Sequence, residues 1–497
     1  MTQRLSSIIL ISALLGGFGC SGKDGDSSTD DGTTPTGDDS TPATDSETTD
    51  DTETTDDTDT ETTVVIPESC ETEATGAPAL VFEGERPTNL LIIGVDTLRR
   101  DHMGYFDASR KGTTDFMDSL LEESVVLMDH RACSNWTYMS SVCIMGGNTG
   151  MDLGWIPNLD NPEGDGFVRI PLDTPLLPDW FNDAGYQVRL AGTGLFSAPG
   201  FNIIERFPFT TTDEFGDASD ASAAAMTQLV TAKSIPDPWF VMVHYFDPHM
   251  PYNKTPSSYL GELEGLPALG AEFPVHTDWL ATELHDLWPS LSSENQELIL
   301  QYIDVYYRAN IKYTDDQMAL LWQQMEELGV LDDTLVVFWT DHGEQFFEHG
   351  DIEHGRHIYG EETRASVAFW AKNLAPAVIE TPTAHVDVIP TIYEAMGIGE
   401  PPRASSGYVV GTTGEDRIRY NWSGRDYRSI AGVDRSGHRL MFNWDGSREH
   451  YINDELETDD VFSADDANAA ALWDCLRPQV ELMDIAMEGA PSPTWPE

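Results

Sequence analysis

Positive charge is scarce in this chain. Lys and Arg number 27 against 86 Asp and Glu, which leaves a formal net charge of −59 over 497 residues. So acidic a field repels nucleic acid and other polyanions, and excludes them as bulk partners unless a pocket is locally basic. Cysteine is sparse too: there are five, at 20, 70, 133, 143 and 475, and their spacing fits no zinc-site pattern. The opening MTQRLSSIILISALLGGFGC also lacks the length to span a bilayer. Arg4, a short apolar run and small residues before Cys20 form the pattern of a secretory signal.

A cysteine ending such a segment resembles a bacterial lipoprotein lipobox, which implies acylation of Cys20 and a membrane contact through that lipid. Gly17 and Phe18 depart from the usual residues before cleavage. The chain is then expected to be exported and lipid-anchored at the bacterial cell envelope, at the outer membrane or cell surface. Residues 21–63 are almost all Asp, Glu, Thr, Ser, Gly and Pro. They have nothing apolar to bury, and like charges keep them extended, so 21–85 reads as a disordered acidic tether. In an exported chain Cys70, Cys133, Cys143 and Cys475 allow one or two disulfides. No pairing follows from their positions.

From residue 88 short apolar runs alternate with helical segments. NLLIIGV, YQVRLAG, WFVMVHY, TLVVFWT and SVAFWA read as strands. The stretch 297–328 reads as a helix that stops at Gly329. Near-continuous apolar strands separated by helices predict an α/β fold with a central, mostly parallel sheet flanked by helices. Ligands of such sheets bind beyond the carboxyl ends of the strands. Asp96 follows the first strand, Asp341 and His342 follow TLVVFWT, and Asp247 and His249 follow WFVMVHY. One such aspartate alone reads equally well as a helix cap. Three strand ends that deliver acid or imidazole to one edge point to a metal-dependent hydrolytic site.

These segments resemble, in order, the sulfatase branch of the alkaline phosphatase superfamily. NLLIIGVDTLRRDHMGYF resembles its opening strand and metal loop, SNWTYMSSVCIMGG its nucleophile segment, and VHYFDPHMPY its catalytic histidine loop. KYTDDQMALLWQQMEELGVLDDTLVVFWTDHGEQFFEHG resembles its helix, strand and second metal loop, followed by HGRHIYGEETR and AHVDVIPTIYEAMGI. The resemblance implies an alkaline-phosphatase-like catalytic domain over 86–400. A smaller C-terminal α+β subdomain would fill 401–497, with a hairpin in YRSIAGVDRSGHRLMFNW.

Carried over by position, the resemblance implies that Asp96, Asp341, His342 and Thr137 hold one divalent metal ion. His249 and His354 would contact the ester and move its proton, with His357 the alternative to His354, and Arg99 would stabilise the nucleophile or the bound anion. Glu344, Glu348 and His349 would support the loop, and Asp387 would cap a helix. Thr97 stands where many members have a second Asp. Two carboxylates and one imidazole favour manganese or zinc and leave calcium open. Most members carry a cysteine or serine in Cys-x-Pro-x-Arg, and the cysteine is oxidised to formylglycine. Cys133 begins CSNWT, but Asn135 and Thr137 replace the Pro and Arg. Placing Thr137 at the nucleophile position keeps the spacing to Gly147, with Met139 and Ser141 replacing the expected Pro and Arg or His. No formylglycine is then expected. A plainer reading makes Thr137 a helix N-cap with Ser140 and Ser141 merely polar, a role compatible with attack; the competing readings are Ser140 or Ser141 as nucleophile, or an inactive site.

The expected function is hydrolysis of sulfate esters on small molecules or glycans. One alternative is a phosphodiesterase or phosphotransferase with a Thr nucleophile, and another is a non-catalytic surface protein that retains the fold.

Overall fold

The computed structural model describes residues 69–153, 170–194, 202–269, 281–423 and 429–486. Cys20, the tether up to residue 68 and parts of the 150–180 and 250–290 loops lie outside the described residues. The described residues belong to one unit, Thr63–Glu497. No helix among them is long and apolar enough to cross a membrane.

Eight strands form the main sheet. Their order is Ala377–Ile379, Val125–Leu127, Val367–Trp370, Thr334–Thr340, Asn89–Val95, Trp239–Tyr245, Gln187–Thr193 and Phe209–Asp213. Only Val367–Trp370 runs against its neighbours; every other pairing is parallel. The apolar runs are near-continuous because both faces of the sheet are covered. Along the first strand, Leu90 and Ile92 enter one core while Leu91, Ile93 and Val95 enter the other. Helices Leu177–Asp183 and Val388–Met396 cover the first face through residues such as Phe181 and Ile392. Helices Ala218–Lys233 and Ser293–Leu328 cover the second through Leu229, Ile303 and Ile311.

Helix Ser293–Leu328 is 36 residues long and has a stop signal at each end. The Ser292 side chain accepts from Asn295 N–H, and Gly329 takes a left-handed φ of 66° that a side chain disfavours. Its Tyr307 hydroxyl donates to the Thr97 carbonyl (2.6 Å) and accepts from Arg99 N–H (2.8 Å), which ties this helix to the loop after the first strand.

Strands Arg419–Trp422, Ser429–Arg435, His438–Asn443 and Arg448–Ile452 form a separate antiparallel sheet. The hairpin between its two middle strands turns at Ser436 and Gly437, both with positive φ, as a tight two-residue turn requires. Helix Ala467–Ala486 covers this sheet, packing Leu472, Trp473 and Leu476 against Trp422, Val433 and Phe442. All four remaining cysteines pair: Cys70 with Cys475, and Cys133 with Cys143.

Candidate active site

Parallel register sets the site. Val95 lies opposite both Tyr245 and Thr340, so Asp96 and Asp341 leave neighbouring strands side by side. Ligand atoms of Asp96, Asp341 and His342 lie within 4.8 Å of one another, and all three residues are buried. His342 Nε2 is 3.9 Å from Asp96 Oδ1 and 3.5 Å from Asp341 Oδ2. Its Nδ1–H donates to the Gly343 carbonyl (2.8 Å), which leaves the Nε2 lone pair facing the carboxylates.

Neither aspartate caps a helix. Asp341 Oδ1 instead accepts from Thr97 N–H (3.1 Å) and His342 N–H (2.8 Å). Thr97 aims that N–H from a left-handed conformation, φ 52°, which costs a β-branched residue about 1–2 kcal/mol. Asp341 Oδ2 is buried without a hydrogen-bond partner. Burial, with the charges of Asp341 and Glu344 close by, holds the Asp96 carboxyl well above the usual carboxylate range. Two buried carboxylates, an imidazole lone pair and an orphaned oxygen are what a divalent cation offsets, so the group fits one such ion.

Thr137 opens helix Thr137–Gly146, whose ten residues are all buried. The N-cap is Trp136, and it makes no side-chain cap bond. Thr137 therefore does not cap the helix. Its Oγ1 sits 3.2 Å from His342 Nε2 and 3.5 Å from Asp96 Oδ1. The two competing hydroxyls are spent on backbone: Ser140 Oγ donates to Ser134 O (2.9 Å) and Ser141 Oγ to Thr137 O (2.6 Å). The Cys133–Cys143 disulfide ties the segment before Thr137 to the middle of the helix.

A row of imidazoles leads away from this cluster. The His354 ring lies 4.4 Å from that of His342, and the His249 ring lies 5.0 Å from that of His354. His354 Nδ1 is 2.9 Å from Glu344 Oε1, and burial pushes the Glu344 carboxyl up to about 8. His249 Nδ1–H donates to the Met250 carbonyl (2.6 Å), and burial beside His354 holds it well below the usual imidazole range. His357 does not join the row: it lies 3.8 Å from Asp351, against the Tyr359 ring.

Arg99 departs from its expected place. Its guanidinium donates to Asp101 (2.9 and 2.6 Å), to Glu348 Oε1 (2.5 Å) and to the Glu344 carbonyl (3.1 Å). Two carboxylates neutralise it, and it holds the loop after Asp341 against the loop after Asp96 instead of reaching Thr137. His349 pairs with Glu361 (2.7 Å), and Asp387 accepts from Ala384 N–H and Tyr408 N–H and pairs with Arg417. Sequence reasoning passed over His244, whose Nε2 lies 3.8 Å from Asp96 Oδ2 while its Nδ1–H donates to the Thr193 carbonyl (3.3 Å). Its only signal was a polar residue inside the apolar run WFVMVHY. Gly192, its register partner, gives it room, since a Cβ there would lie 2.6 Å from the His244 carbonyl oxygen.

Comparison with known proteins places the chain. The family model described as Sulfatase matches residues 88–398. The chain is 28% identical over 233 residues to "Uncharacterized sulfatase YidJ" of Escherichia coli (strain K12), a match that covers 45% of each chain. It thus spans less than half the length of that curated relative. A protein solved in complex with its substrate D-glucosamine-2-N,6-O-disulfate superposes with a TM-score of 0.59 at 18% identity, covering 81% of this chain and 97% of that one. A phosphonate monoester hydrolase from Silicibacter pomeroyi superposes with a TM-score of 0.58 at 18% identity, covering 80% and 96%. At these identities the two superpositions establish the fold.

Proposed function

Since the chain belongs to the sulfatase family of the alkaline phosphatase superfamily, we propose that it is a metal-dependent hydrolase of sulfate esters carried by small molecules or glycans. The observation that carries this reading is the meeting of Asp96, Thr137, Asp341 and His342 in one buried cluster at the strand ends. Asp96, Asp341, His342 and Thr137 would hold the ion. A divalent cation there neutralises ester oxyanions and favours the ionised hydroxyl. Two carboxylates and an imidazole suit manganese or zinc.

Thr137 Oγ1 is the atom placed to attack the ester. It opens a helix whose positive end favours a developing alkoxide. His249 and His354 serve the departing oxygen. The buried His249 imidazole resists protonation until an anionic ester binds beside it; it then takes up one proton and hands it to the departing oxygen, with His354 positioned behind it. Water afterwards cleaves the ester formed on Thr137 to release the anion and restore the hydroxyl. Arg99 acts by position, through Glu348 and the Glu344 carbonyl. The cell-envelope location through a lipid on Cys20 belongs to the same proposal and rests on the N-terminal pattern alone.

One observation favours a second reading, a phosphodiesterase or phosphotransferase working through Thr137. The hydroxyl beside the carboxylates belongs to a threonine, which cannot become the formylglycine of most sulfatases. Turnover of para-nitrophenyl sulfate, para-nitrophenyl phosphate and bis(para-nitrophenyl) phosphate by metal-loaded protein separates the two. The sulfatase reading predicts a kcat/KM on the sulfate at least about tenfold above both phosphates. The reverse preference would replace it with the second reading.

A further inference from the structure

A cavity of about 460 Å³ lies where the Met128–Arg131 segment and Pro382 meet the antiparallel sheet, and seven arginines line it. The whole chain holds only 27 Lys and Arg against 86 Asp and Glu, so acid is available to neutralise nearly every cation. Four of the seven meet a carboxylate within 3.1 Å, and a fifth, Arg435, donates to the Asp416 (2.9 Å) and Ser69 carbonyls. Arg131 and Arg439 share Asp434 and Glu457, at 2.8–3.1 Å. Arg417 meets Asp387 (2.6 Å), Arg419 meets Asp129 (2.7 Å) and Arg435 meets Asp416 (3.6 Å).

Arg100 and Arg364 differ. Among the described residues the Arg100 guanidinium has no hydrogen bond or ion pair; it lies 4.3 Å over the Phe106 ring, which leaves its N–H edge open. Arg364 has one distant ionic contact, 3.7 Å to a Glu455 side chain that is 84% exposed. Both arginines also line a neighbouring cavity of about 550 Å³, so the pair stands where the two cavities adjoin. Burial first, then the charge of Arg364, brings Arg100 down to about 10 against the pull of Asp129 and Glu455, and burial with Arg131 lowers Arg364. Two half-buried guanidinium groups on one cavity, one without an ion pair and the other reached only by the exposed Glu455, carry positive charge that an anion would satisfy.

We propose that Arg100 and Arg364 form an oxyanion-binding site, separate from the strand-end cluster, that takes a sulfate or phosphate group, either free or borne by a polyanionic sugar chain. The planar forks suit a tetrahedral oxyanion through paired N–H donors, and Glu455 swings into solvent when the group enters. The site does not depend on the chemistry at Thr137.

Equilibrium dialysis with radiolabelled inorganic sulfate, at ionic strength fixed with sodium chloride, tests it. The full chain carrying Asp341→Asn is used, so that no metal-held sulfate at the strand ends contributes. One saturable sulfate per chain is expected. Arg100→Gln and Arg364→Gln should each weaken it at least about tenfold, and Arg100→Lys, which keeps the charge, should weaken it less. A parallel arm with a heparin-derived oligosaccharide distinguishes the sources: tighter binding than inorganic sulfate assigns the group to a chain, equal binding to the free ion. Absence of saturable binding in the parent, or binding unchanged in both Gln variants, would overturn the site.

Discussion

The strand-end cluster and the seam between the two sheets both bury ionised groups, but they compensate them in opposite ways. At the strand ends Asp96 and Asp341 meet imidazoles, the Thr137 hydroxyl and two backbone N–H groups, with no arginine or lysine ion-paired to them among the described residues, and one carboxylate oxygen has no partner. At the seam Arg131 and Arg439 interlock with Asp434 and Glu457, two cations against two anions. The acids respond accordingly. Burial and a neighbouring carboxylate raise Asp96, whereas the seam arginines outweigh burial and hold Asp434 down at about 2. Charge compensated from within the chain is architecture; charge left uncompensated waits for a ligand.

The contrast is broken most strongly at the strand ends. Asp341→Asn should cut bound divalent metal from one per chain to under about a tenth, measured by elemental analysis after dialysis, and cut ester turnover by at least roughly 10³-fold. The same change should leave the metal-free protein at least as stable as its metal-free parent, because it removes one of two facing buried carboxylates. Next comes the seam. Arg131→Ala leaves Asp434 and Glu457 undercompensated and should cost about 3 kcal/mol in denaturant unfolding, with metal content and turnover per folded molecule unchanged.

Acid titration sharpens the same point more gently. A depressed Asp434 contributes stability above its unfolded value of 3.8, and this is lost as pH falls through about 2. Asp434→Asn should remove about 2 kcal/mol of that acid-dependent stability, seen as a flatter unfolding free energy across this window. The smallest effect is at His349. Although burial alone would lower it, the Glu361 hydrogen bond and charge raise it to about 9. Its stabilisation is complete below the unfolded value of 6.5 and is lost as pH rises towards about 9. After solvent screening His349→Gln should flatten that decline by about 1 kcal/mol.

The main sheet was readable because its strands are buried on both faces. NLLIIGV, WFVMVHY and TLVVFWT stand out as apolar runs, and the residues just beyond them fall together once the strands pair in register. Thr137 was readable by its spacing to Gly147, but its hydroxyl's rivals were removed only by geometry, since Ser140 and Ser141 donate to local carbonyls. Long-range pairings stayed hidden. Nothing in the order of residues couples Arg99 to Glu348, His354 to Glu344, or Cys70 to Cys475, because each depends on how loops fold back over the sheet. His244 was masked by its apolar neighbours, although it is the polar residue that faces Asp96.

The central claim is that the Thr137 hydroxyl, held between Asp96 and His342, does the chemistry. Thr137→Val keeps the shape of the side chain and removes only the hydroxyl. Turnover of para-nitrophenyl sulfate and of the phosphate esters, normalised to bound metal, should fall by at least roughly 10³-fold in this variant while Asp96, Asp341 and His342 still retain the ion and the melting temperature stays near the parent. Turnover within a few-fold of the parent at equal metal content would contradict the account.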